Sequence, residues 1–112
     1  MKTLSITALS VLLTTLAAHA ANLTSAEIKN AIVGKTLTFS GAAGSGTTVY
    51  SLNGSASIMF NGKPDKGKWR TKGSSMCDTW TNIRKGKEGC YTIQSLGGNK
   101  YKTSKGFTVT AK

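Results

Sequence analysis

Ile28, Ala31 and Ile32 stand three and four positions apart, so on a helix they form one apolar stripe beside polar neighbours. The preceding stretch, Asn22-Leu23-Thr24-Ser25-Ala26-Glu27, has the form of a capping box. Thr24 can accept from the backbone N–H of Glu27, and Glu27 can reach back to that of Thr24. Leu23 and Ile28 suit a hydrophobic staple across this start, and Gly34 supplies a C-terminal stop. The spacing predicts a short amphipathic helix over residues 25–33. A helix of that length does not hold alone in water, so it must pack on the open end or one face of a sheet.

After Gly34 the apolar period falls to two. Leu37 and Phe39 share a face, as do Ala56, Ile58 and Phe60, and again Phe107, Val109 and Ala111. Residues 47–52 carry the strand formers Thr, Val and Tyr. Trp69 points one way while Lys68, Arg70 and Lys72 point the other, and Tyr101 points inward between Lys100 and Lys102. Turn chemistry separates these runs: a glycine-rich stretch at residues 41–46, Asn53-Gly54, Asn61-Gly62 with Pro64-Asp65, Gly73, a Lys-, Arg- and Gly-rich loop between strands at 75–81 and 89–95, and Gly97-Gly98-Asn99. The rhythm is that of about eight short strands with turns every 8–12 residues. It predicts a mainly β chain, with the N-terminal helix packed on an antiparallel meander that forms a small, lipocalin-like barrel or half-barrel. Leu37, Phe39, Ile58, Phe60, Trp69, Tyr91 or the face beside it, Tyr101, Phe107 and Val109 are the expected core.

The first twenty residues follow another logic. Met1-Lys2 is a short positive start, residues 4–18 are apolar or small without charge, and Ala18-His19-Ala20 fits a cleavage pattern. This reads as a secretory signal peptide cut after Ala20; the run is too short and too diluted by Ser and Thr to span a bilayer. The expectation is one β-rich domain over residues 21–112, monomeric, periplasmic or secreted, with no transmembrane segment. Cleavage removes Lys2 and His19, which leaves fourteen basic against four acidic residues, a net +10, and no histidine. Neither a Ser-His-Asp nor a Cys-His site can then be built, and histidine-ligated zinc, copper or iron is excluded. Cys77 and Cys90 fall on the two strands flanking the 81–88 loop. Setting them opposite each other places Met76 against Tyr91 and Asp78 against Gly89. In an exported chain this spacing predicts a structural disulfide worth on the order of 3 kcal/mol; a redox pair would call for Cys-x-x-Cys.

The remaining candidates are few. Of the four acids left, Glu27 has a capping role, Asp65 sits beside Pro64 in a turn, and Asp78 and Glu88 share a hairpin with Arg84, Lys85 and Lys87, where surface ion pairs account for them better than a catalytic pair. Residues 41–46 lack the Lys-Ser/Thr of a phosphate loop and precede a strand. No catalytic residue, metal ligand or cofactor is therefore assigned, and the chain reads as a non-enzyme. Lys68, Arg70, Lys72, Lys100 and Lys102 are the anion-binding candidates, gathered on one outer face if their two strands lie together. Their partner would be a polyanionic surface (lipopolysaccharide, anionic lipid, acidic glycan or nucleic-acid backbone) or an acidic protein, held by loose attraction because Arg is scarce. Trp80, beside the basic loop, is read either as an exposed aromatic contact or as a lid over the core end.

Leu23-Thr24-Ser25-Ala26-Glu27-Ile28, Gly67-Lys68-Trp69, Cys77-Asp78-Thr79-Trp80 and Cys90-Tyr91 together resemble the recurring pattern of a family of small exported proteins found mainly in proteobacteria. The resemblance covers nearly all of residues 22–105. It implies a β-rich periplasmic or secreted domain with a disulfide, and it carries no established activity. The functional expectation is an exported, non-enzymatic binding protein that offers a basic surface to an anionic envelope or host component. The alternatives are a small periplasmic protein inhibitor and a barrel that carries a small apolar ligand.

Overall fold

The computed structural model describes residues 21–112, so the signal peptide expected over residues 1–20 lies outside the described residues. Helix α1 spans Ser25–Ala31 and is opened by the expected capping box. Thr24 Oγ1 accepts from Glu27 N at 3.2 Å, and Glu27 Oε1 accepts from Thr24 N at 2.9 Å. The helix is two residues shorter than its apolar pattern. Lys35 Nζ donates to the carbonyls of Asn30 and Ala31, which closes the last turn early, and Gly34 turns the chain at φ 82°. Ile28 and Ile32 are completely buried, worth roughly 1.5–3 kcal/mol each. They dock the helix on the sheet beside the strands Lys63–Lys72 and Ser75–Trp80, where Ser25 Oγ donates to Thr71 Oγ1 at 2.8 Å.

The described residues form nine antiparallel strands: β1 Thr36–Gly41, β2 Gly44–Tyr50, β3 Ser55–Phe60, β4 Lys63–Lys72, β5 Ser75–Trp80, β6 Gly89–Tyr91, β7 Ile93–Gly97, β8 Lys100–Thr103 and β9 Thr108–Ala111. Their order in the sheet is β6-β5-β4-β3-β2-β1-β9-β8-β7. The two outermost strands are consecutive in the chain, so the sheet curls into a nearly closed barrel. The stretch expected as one strand over residues 89–95 is broken at Thr92: its first part pairs with β5 and its second with β8. Thr92 N donates to Ser104 Oγ and Thr92 O accepts from Ser104 N, both at 3.0 Å. Leu23 N donates to Ile93 O at 2.7 Å, so the segment before α1 covers part of this seam.

Pro64-Asp65 was expected in a turn and instead lies in β4, the turn being Asn61-Gly62 alone. β5 pairs with β4 only from Gly67 onward, so Pro64 sits where β4 has one neighbour and its missing N–H leaves no gap in the second ladder. The disulfide forms in the predicted register, with Cys77 opposite Cys90, Met76 opposite Tyr91 and Asp78 opposite Gly89. It lies on the outer face under the Arg70–Glu88 ion pair, with a Glu88 carboxylate oxygen within 4.8 Å of both sulfurs.

Antiparallel order fixes the two ends of the barrel. Helix α1 and the β2–β3, β4–β5 and β7–β8 turns share one end; the β1–β2, β3–β4, β5–β6 and β8–β9 connections share the other. Near this second end Phe39 stacks on Phe60 at 6.0 Å and meets Phe107 edge-on at 5.4 Å.

Candidate ligand cavity and the cations at its mouth

Period two sends Leu37, Phe39, Thr48, Tyr50, Ile58, Phe60, Asp78, Trp80, Tyr91, Thr103, Phe107 and Val109 toward the barrel axis, yet they do not fill it. They enclose a cavity of about 360 Å³ with mainly apolar walls, within the range usual for small-molecule sites. Its lining continues onto the exposed connections Ala43, Arg84 and Lys105, which places the mouth at the end away from α1. Ile58, Phe60, Tyr91 and Phe107 point inward but are only half-buried, because the cavity admits solvent.

One polar cluster interrupts the apolar wall. Asp78 lies on β5 between Met76 and Trp80, and it is 5% exposed. Its Oδ2 accepts from the Tyr50 hydroxyl at 2.7 Å and its Oδ1 from Arg84 Nη2 at 2.5 Å. Arg84 Nη2 also reaches the Asp78 carbonyl at 2.9 Å, and Nε reaches the Lys87 carbonyl at 3.3 Å. The Tyr50 and Tyr91 oxygens lie 2.7 Å apart. Tyr50 has one proton and gives it to the carboxylate, so Tyr91 donates to Tyr50 and turns its own lone pairs outward. Burial pushes both phenols well above their usual range, so both stay protonated. Arg84 lines the cavity, and among the described residues its Nη1 has no acceptor.

Arg84 is held where it is by the backbone around it. Arg84 and Lys85 both adopt left-handed φ, 58° and 54°, ahead of Gly86 at 77°. For non-glycine residues that costs about 1–3 kcal/mol each, and such strain gathers at functional sites. Asp65 on β4 clamps the loop, with Oδ2 accepting from both Asn82 N and Ile83 N at 2.9 Å. The Ile83 N–H most of all, with those of Asn82 and Lys66, holds the Asp65 carboxyl below its usual value against the opposing effect of burial. Chemically the cavity offers shape, apolar contact, a fixed guanidinium and a phenol oxygen; these are the means of binding and orienting a ligand.

The five basic residues expected to form one face are split. Lys68, Arg70 and Lys72 lie exposed on β4, while Lys100 and Lys102 lie exposed on β8. β5, β6 and β7 separate the two groups on one side, and β3, β2, β1 and β9 on the other. Period two gives the face within a strand; only the strand order tells which strands are neighbours. Arg70 is moreover engaged by Glu88 through two hydrogen bonds, at 2.7 and 2.8 Å. Trp80 is 3% exposed and lines the cavity, so it is no exposed contact. Asp78 and Glu88, read as surface acids of one hairpin, point to opposite faces: Asp78 into the barrel and Glu88 outward to Arg70. Periodicity does not mark Tyr50, Arg84 or Lys105 as site residues. The signal in the chain is Asp78, an acid in phase with Met76 and Trp80, which needs hydrogen-bond or charge partners once it turns inward.

No family model matches the chain, and no curated protein or solved structure matches it.

Proposed function

We propose that this is an exported, non-enzymatic carrier whose barrel holds a small, largely apolar ligand. The observation that carries the reading is the cavity of about 360 Å³. A barrel of about eight strands is just wide enough either to be filled by side chains or to hold one small ligand. Here Ile28, Ile32 and Met76 are fully buried, while the other end keeps an open space lined by Leu37, Phe39, Ile58 and Val109. Walls without partner atoms forfeit dispersion contacts, and a bound apolar group supplies them. The disulfide supports placement in an oxidising compartment, and no described helix is long and apolar enough to cross a membrane. A polyanion-binding outer surface has less support, because its five candidate residues divide between two non-adjacent strands.

Fluorescence titration with the neutral dye phenylnaphthylamine tests the carrier reading. One saturable site is expected, and Ile58→Trp, which fills the cavity, should abolish it while circular dichroism stays unchanged. Absence of saturable binding, or dye affinity unchanged in a folded Ile58→Trp variant, overturns it. Native mass spectrometry of the protein from its own source should show a retained small molecule.

A further inference from the structure

We infer that the ligand is a single-chain amphiphile with an anionic head, its chain inside the barrel and its head at the mouth between Arg84 and Lys105. This rests on the carrier reading above and specifies the ligand's chemistry. Three charged residues line the cavity: Asp78, Arg84 and Lys105. Asp78 is consumed within the wall by Tyr50 and by Arg84 Nη2. What is left for a ligand at the mouth is therefore the Arg84 guanidinium, paired with Asp78 through Nη2 but with no acceptor on Nη1, and the exposed Lys105 ammonium, which has no acid partner among the described residues. Lys63, Lys85 and Lys87 stand on the same end of the barrel and are exposed. The two other acids at this end are committed elsewhere, Asp65 to the amides of Asn82 and Ile83 and Glu88 to Arg70. The field at the entrance is positive above an apolar interior, so a ligand complementary to both is anionic at one end only.

Solvation of the surface does not explain Arg84. A solvating cation needs no fixed position, yet this one is seated in a left-handed loop, clamped through Asp65, and packed where Gly89 has no side chain. A charge-assisted donor fixed before binding loses little freedom when the ligand arrives. The collar of Phe39, Phe60 and Phe107 lies on the same side, where the chain of an amphiphile would pass.

Displacement of phenylnaphthylamine by four ten-carbon compounds tests this: decanoate, decyl phosphate, decanol and decyltrimethylammonium. At low salt at least one of the two anions is expected to displace the dye at about ten-fold lower concentration than decanol, with the cation weakest. The tighter of the two anions identifies the head as carboxylate or phosphate. Lys105→Gln should weaken the anions roughly two- to five-fold and leave decanol unchanged. Lys105 is the residue to alter because removing Arg84 would strand Asp78. Decanol binding as tightly as both anions, or Lys105→Gln weakening decanol and the anions alike, overturns the anionic head while dye binding leaves the carrier reading standing. Loss of all dye binding would instead remove the carrier itself.

Discussion

Gly89 has no Cβ, and the Arg84 guanidinium occupies the space where one would stand, its Cζ 2.6 Å from that position. Gly89→Ala should push the guanidinium away and leave the buried Asp78 carboxylate without its cation. The expected loss is about 1–2 kcal/mol by urea denaturation, at the low end of the cost of an unsatisfied buried group because Arg84 is itself partly solvated. A second residue-scale effect concerns acid. The folded-state pKa of Asp65 lies below its unfolded value, so its stabilising contribution is present above the ordinary carboxylate pKa and is lost as pH falls through the lowered one. Asp65→Asn removes that contribution at every pH. Melting temperatures of the two proteins should differ most near neutrality and converge as pH drops below about 4. Glu88, also lowered by Arg70, titrates in the same sense, so the comparison with the variant is needed to isolate Asp65.

At the scale of elements, the chain announces some features and hides others. The capping box, the helix and the Cys77–Cys90 register follow from local chemistry: neighbours three or four apart on a helix, and alternation along two strands joined by one loop. The break at Thr92 does not, because it is imposed by which strands the two parts meet rather than by Thr92 itself. Pro64 likewise reads as a turn until the ladder beside it is known to begin at Gly67. The candidate site was legible only in fragments: Trp80 and Asp78 were visible as in-phase positions of one strand, but Arg84 arrives from a loop whose path no periodicity describes. β6 is only three residues long and is tied to β5 by the disulfide. A Cys77→Ser/Cys90→Ser protein should lose on the order of 3 kcal/mol in denaturant unfolding. Because Gly89 adjoins Cys90, it should also bind the dye more weakly.

For the molecule as a whole, the formal charge of +11 matters less than its distribution. Lys68, Arg70 and Lys72 on β4 and Lys100 and Lys102 on β8 lie on opposite sides of the barrel, while Lys63 at the start of β4, Arg84, Lys85 and Lys87 on the β5–β6 connection and Lys105 on the β8–β9 connection stand at the end that holds the mouth. A ligand that engages them stabilises the folded state by mass action. At a decanoate concentration one hundred times its dissociation constant the gain is about 2.7 kcal/mol. For a domain of this size that raises the melting temperature by roughly 10–20 °C. Differential scanning fluorimetry should show the shift in the native protein and none in Ile58→Trp.

Among the described residues every ladder of the sheet joins strands that follow one another in the chain, except that between β1 and β9. The hairpins can therefore zip from local encounters within microseconds, but the ring waits for Phe39 to find Val109 across roughly seventy residues of intervening chain. Once the disulfide is in place, that long-range encounter is the pairing expected to slow folding most. It also makes the cavity a late product of synthesis: a chain delivered from its N-terminus has its helix and most of its hairpins before it has any interior, and acquires one only when its last strand arrives.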